Sequence, residues 1–158
     1  MQRLLVATLA LAFGLGTAQA VDVHRSATVS GDPQWVWWDI GDFCEIEAWH
    51  PVVAECEDWD EDGVTYRTLT TTDGAVIKER LIEETDTGYS YEIIESPLPV
   101  ANYRATLSVM PGGEGTVIDW SAHFDAAGAP DAVAADVIGG IFQGGLDEIV
   151  SDRSDWLP

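Results

Sequence analysis

The sequence predicts an α+β fold in which a curved antiparallel sheet of about seven strands wraps around one long C-terminal helix, with two short helices after the first strand. Three observations lead there. The segments after Pro51 alternate apolar and polar residues and are separated by turn chemistry. After Gly128-Ala129-Pro130 the apolar spacing changes from two residues to three and four. Between the first strand and the rest, Asp32-Pro33 marks a helix start, with Asp32 as N-cap and Pro33 at the first helical position.

Taken in order, Val21 to Val29 reads as the first strand, and the first helix runs through Trp35, Val36, Trp38 and Ile40. A second helical turn over Glu45 to Ala48 stops before Pro51, because a proline pushes the preceding residue out of the helical region. Strands follow over Val52–Glu57, Val64–Thr71, Ala75–Glu84, Tyr89–Glu95, Tyr103–Val109 and Thr116–Phe124. The breaks are Glu61-Asp62-Gly63, Asp73-Gly74, Thr87-Gly88 and Pro111-Gly112-Gly113.

The last helix carries Val133, Val137, Ile138, Ile141, Phe142, Leu146 and Ile149 on one face, which must lie on the sheet. Its centre holds Gly139, Gly140, Gly144 and Gly145, each of which weakens a helix by up to about 1 kcal/mol relative to alanine. Three readings fit: a cavity between helix and sheet, a close helix-to-sheet approach, or a helix broken at the glycine pairs.

Side chains in a strand repeat every two residues. Glu79 therefore shares a face with Ile77 and Leu81, Tyr91 with Ile93, and Tyr103 with Ala105 and Leu107. Arg67 shares one with Leu69, so an Arg67–Glu79 pair across neighbouring strands is expected, a charged anchor for a polar ligand end. Burying such groups costs free energy unless they find partners, and a cavity holding water or ligand resolves this. The alternative is that both charges point to solvent on an open sheet face.

Arg3 precedes an apolar run from Leu4 to Leu15 and then Gly16-Thr17-Ala18-Gln19-Ala20, the layout of a cleaved secretory signal. The run is shorter than the roughly 20 residues that span a membrane. Residues 1–20 are thus expected to be removed, leaving residues 21–158 as one periplasmic or secreted domain with no membrane span.

Acidic residues number 28 against 7 basic ones, for a net charge of −21. Such a surface argues against nucleic acid, whose binding needs Lys and Arg on the phosphates. It suits either steering toward a basic periplasmic protein or simple solubility and salt tolerance. In an exported chain, Cys44 and Cys56 are expected to form a disulfide. With His50 they make up three potential ligands, too few for a structural zinc site, so no metal or other cofactor is expected.

Proton-transfer candidates are His50, His123, Glu79 and Glu95, none in a recognisable catalytic pair. His123 alternates opposite Trp120 and Phe124 and is expected in solvent, while His50, at a helix-to-strand junction, reads as structural. No Gly-x-Ser-x-Gly elbow, phosphate loop, dinucleotide fingerprint or His-Glu-x-x-His is present. Trp35, Trp37, Trp38 and Trp49 cannot all share one face; they read as packing between the short helices and the sheet, or as an exposed interface.

Several pieces together resemble a known superfamily: Trp49-His50-Pro51, Gly63-x-x-x-Arg67-Thr68-Leu69, Asp73-Gly74, Glu79-Arg80-Leu81, Tyr89-Ser90-Tyr91, Pro97-Leu98-Pro99-Val100-x-Asn102-Tyr103, Trp120-Ser121 and Gly139-x-Ile141-Phe142-x-x-Gly145-Leu146. From about Val23 to Val150 the chain resembles the START-related, polyketide cyclase-like superfamily, which includes the birch-pollen allergen and abscisic-acid receptor group. Exported bacterial members are most similar, among them an accessory protein of periplasmic methanol oxidation. The resemblance implies the helix-grip fold and a small hydrophobic or amphipathic ligand. It places Glu79, Tyr91 and Tyr103 in the cavity, and the alternation argument adds Arg67. Trp120 and Phe142 complete the expected ligand-binding set, and Pro97, Leu98 and Pro99 are expected at the cavity mouth. The fold hosts carriers, receptors and enzymes alike, so ligand carriage, a docking role in periplasmic redox metabolism and cyclase- or dehydratase-like acid–base chemistry all stay open.

Overall fold

A computed structural model describes residues 20–154 of the chain. The expected signal segment, Ala20 apart, lies outside the described residues. No helix among them is long and apolar enough to cross a membrane.

Strand β1 (Val21–Val29) is followed by helix α1 (Pro33–Ile40), the short helix α2 (Ile46–Trp49), strands β2 (Val53–Glu61), β3 (Val64–Thr71), β4 (Val76–Thr85), β5 (Gly88–Glu95), β6 (Val100–Gly112) and β7 (Gly115–Ala126), and helix α3 (Asp131–Ser154). The seven strands form one sheet in the order β1-β7-β6-β5-β4-β3-β2, every pairing antiparallel. Helix α3 lies against β1 and β7, and α2 joins it to β2. This is the expected helix-grip arrangement, with the apolar face of α3 held inside the curve of the sheet.

Local chemistry sets the element ends. The Asp32 side chain accepts from the Gln34 N–H at 2.9 Å, which caps α1 at Pro33 as expected. Strand β2 runs four residues past the expected Glu57, because Trp59 stacks on Tyr66 across the hairpin at 5.4 Å and continues the pairing to Glu61. Strand β6 starts at Val100 rather than Tyr103, an extension made through an irregularity. The register slips between Ala101 and Arg104, and Asn102 adopts a left-handed φ of 52°, its side chain donating to Asp125 at 2.7 Å. The extra residue lets Val100 and Tyr103, three apart, both face the core.

Helix α3 is continuous through both glycine pairs. A Cβ on Gly139 would stand 2.5 Å from Arg25, and one on Gly145 would stand 2.6 Å from the His50 ring, whereas Gly140 and Gly144 face open space. Of the three readings for these glycines, close approach explains Gly139 and Gly145.

The core gathers β-sheet residues Leu107, Ile118, Trp120 and Phe124 with Val36 of α1 and Ile138, Phe142 and Leu146 of α3. Cys44 and Cys56 are joined, their Cα atoms 5.5 Å apart, tying the start of α2 to β2. The tryptophans divide. Trp37 packs on Tyr89 and Trp49 on Trp120, but Trp35 and Trp38 stack on each other outside the domain, 62% and 73% exposed. Packing between helices and sheet therefore accounts for half of the group.

Candidate functional site

Between the inner face of the sheet and α3 lies a pocket of about 400 Å³. Buried Leu69, Ile77, Trp120, Ile138 and Phe142 make its walls. Exposed Val52, Thr72, Asp73 and Pro97 ring the mouth, with Leu98 beside them. The floor is polar, because Glu79, Tyr91 and Tyr103 project from β4, β5 and β6 onto one face.

Each floor residue is brought there by strand geometry. Arg67 and Glu79 are direct register partners across β3 and β4. The β4–β5 register slips beside Glu79, and the extra residue, Ile94, turns outward while Ile93 stays on the lining. Tyr103 follows the β6 irregularity. Tyr91 pairs with Leu81 at a second β4–β5 slip, so all three polar floor residues sit next to places where the regular ladder is interrupted, as is common where a strand must aim a side chain.

The ion pair is buried, but its two members are not equivalent. Arg67 Nε and Nη2 both reach Glu79 Oε2 at 2.6 Å, and Nη1 donates to the Phe43 carbonyl. The guanidinium also lies 3.9 Å from the centre of the Phe43 ring. Arg67 is 1% exposed and does not reach the pocket lining. This corrects its place in the expected ligand set: it stands behind Glu79 and fixes it, since the loop after α1 closes over the guanidinium. Burial pushes the Glu79 carboxyl up from its ordinary range, and the Arg67 charge and hydrogen bond pull it back. The Arg67 pKa is raised: burial opposes its charge, and Glu79, Tyr89 and Tyr91 outweigh that cost.

The phenols form a row of mutually tilted rings. Tyr89, Tyr91 and Tyr103 follow one another at ring separations of 5.9 and 6.1 Å. Trp120 Nε1 donates to the Tyr91 hydroxyl at 3.1 Å, and the Trp120 ring lies on Phe142 at 4.3 Å. Burial raises the pKa of all three phenols, so they are protonated donors at neutral pH. Tyr89 is close enough to Arg67 to feel its charge, yet its hydroxyl lacks hydrogen-bond geometry to any partner.

His50 lines the pocket while its ring is committed to the backbone. Its Nε2–H donates to the Ile141 carbonyl at 3.0 Å, and its Nδ1 accepts from the Val52 N–H at 3.4 Å. Both contacts suit the neutral ring, and burial depresses its pKa.

The remaining expectations divide by position. Pro97 and Leu98 are at the mouth, but Pro99 is not part of the lining; its carbonyl accepts from the Ala127 N–H, which holds it against the end of β7. His123 is exposed and contacts Asp22 at 2.8 Å, and Glu95 is exposed and pairs with Lys78 at 3.0 Å. Neither is near the floor. Among the described residues no group of three or more His, Cys, Asp or Glu could hold a metal ion. Sequence reasoning missed Tyr89 and Phe43 around the ion pair. Tyr89 was accessible, being two residues from Tyr91 on the same strand face.

The profile of a family described as polyketide cyclase / dehydrase and lipid transport matches residues 20–152. The protein XoxI from Bacillus cereus is 31% identical, with a TM-score of 0.80 over 85% of this chain and 96% of that one. An uncharacterized protein from Bacillus thuringiensis is 30% identical, also with a TM-score of 0.80, covering 85% of this chain and 100% of that chain. The Zhui aromatase/cyclase from Streptomyces sp. R1128 is 14% identical, with a TM-score of 0.63 over 86% of this chain and 94% of that one, a likeness of fold alone. No curated protein sequence matches the chain.

Proposed function

The chain belongs to the polyketide cyclase / dehydrase and lipid transport family, and from that premise we propose that it holds a small, largely apolar molecule between its sheet and α3. One observation carries the reading: a pocket of about 400 Å³ whose walls are apolar and whose few polar groups converge on the floor. Ligand sites have this size and this distribution of polarity. The test is native mass spectrometry of the purified full chain, followed by denaturing extraction of any released molecule. A stoichiometric adduct that disappears in Ile138→Trp, a variant that fills the pocket, supports carriage. An adduct unchanged by that filling places binding elsewhere and sinks the reading.

A second reading, acid–base catalysis on the bound molecule, is favoured by the same floor. It combines a carboxyl raised by burial with phenols that stay protonated. Turnover that vanishes in Tyr103→Phe, with thermal unfolding unchanged, would move the assignment from carrier to enzyme.

Export to the periplasm or beyond completes the proposal. The signal-like composition of residues 1–20 supports it, as does the Cys44–Cys56 bond, a pairing typical of oxidising compartments. N-terminal sequencing of protein from the native cell should begin at Val21. Intact Met1 on a cytosolic protein would overturn it.

A further inference from the structure

The hydrogen-bond directions on the pocket floor constrain the chemistry of the ligand's polar end. An indole N–H can only donate, so in the Trp120–Tyr91 contact the Tyr91 oxygen is the acceptor. The Tyr91 proton is left to donate, and Tyr103, whose ring is 6.1 Å away, lines the pocket beside it. A phenol hydroxyl can donate, so Tyr91 and Tyr103 both bring a proton to the pocket floor.

Glu79 supplies the complementary half. Both guanidinium contacts fall on Oε2, leaving Oε1 without a protein donor. A carboxylate oxygen can only accept. The floor therefore offers phenol donors on β5 and β6 and a carboxylate acceptor on β4.

No cation on the lining is left to meet an anionic ligand end. Arg67 is shut behind Glu79 and under Phe43, and both His50 nitrogens are taken by the backbone. Among the described residues that line the pocket none is Lys or Arg, and the other charged one, Asp73 at the mouth, is also acidic. A ligand carboxylate would lie against a carboxylate already paired with Arg67, find no cation of its own and face Asp73 at the mouth, and burying a charge unpaired is costly.

Resting on the carrier reading, we infer that the pocket selects an apolar skeleton ending in a neutral group that both donates and accepts a hydrogen bond, such as a phenolic or alcoholic hydroxyl, and rejects the same skeleton ending in a carboxylate. Three matched probes test this: 2-naphthol, 2-naphthoate and naphthalene, titrated at pH 7 into the full chain and followed by calorimetry. Naphthol should bind at least about tenfold more tightly than naphthoate, and Tyr103→Phe should bring naphthol down toward naphthalene. Naphthoate binding as tightly as naphthol overturns the inference, and so does a naphthol affinity indifferent to Tyr103→Phe. The wild-type comparison decides the matter even if the variant fails to fold. Naphthalene bound as well as naphthol sinks the end-group selectivity while leaving carriage intact, whereas no binding of any probe overturns both.

Discussion

Arg67 and Glu79 face each other across β3 and β4, with the guanidinium held on one carboxylate oxygen at 2.6 Å and almost no solvent at either group. Removing one member leaves the other as an unpaired buried charge. Arg67→Met or Glu79→Leu alone should lose about 3–5 kcal/mol in urea unfolding, and the double replacement should recover much of the loss. Additive losses in the double-mutant cycle would show that the pair is not coupled.

The Cys44–Cys56 bond closes a sequence separation of 12 residues between α2 and β2. Reduction, or replacement of both by serine, should destabilise the domain by about 3 kcal/mol on the chain-entropy account. Equal melting temperatures with and without reductant would refute the contribution.

The glycines of α3 should respond in opposite directions. Gly145→Ala drives a methyl into the His50 and Trp49 rings and should destabilise. Gly140→Ala meets nothing and should stabilise by about 0.5–1 kcal/mol through helix propensity. Thermal melts of the two variants give the comparison, and a stabilised Gly145→Ala would mean that α3 stands off the sheet.

His50 makes stability depend on pH with a definite sign. Its pKa is depressed below the ordinary 6.5, first by burial and further by Arg67, against the raising effect of the Ile141 bond. The unfolded chain therefore binds a proton near pH 6.5 that the folded chain refuses. This contribution is complete above that pH and is lost as pH falls toward the folded value. Other carboxylates titrate as well, so the measurement is the difference between wild type and His50→Gln in denaturant midpoints from pH 7.5 to 5. The gap should close on acidification; a constant gap would mean that His50 has the same pKa in both states.

Much of this site was legible in strand periodicity. Alternation alone put Glu79, Tyr91 and Tyr103 on one face and suggested the Arg67 partner, because a two-residue repeat leaves little choice once the core face is known. The depth of Arg67 was not legible. Its exclusion from the pocket depends on Phe43, 24 residues away, whose loop carries no periodic signal. The α3 glycines were ambiguous for a related reason: whether a missing Cβ leaves space or admits a neighbour depends on what stands opposite, and His50 meets Gly145 only in three dimensions. Strand β6 also extended past its expected start, since a slip in register hides from a strict two-residue count.

That slip ties the entrance of the pocket to its interior through the number of residues between them. Val100, next to the mouth segment, and Tyr103, on the floor, are three residues apart yet face inward together because the irregularity absorbs the additional residue. Deleting Asn102 would leave the two residues two apart, so regular alternation would keep both inward and remove only the irregularity. One further codon gained between them, by contrast, would exceed what the irregularity absorbs and turn either the Tyr103 hydroxyl or the mouth segment away, with every side chain around the cavity kept as it is.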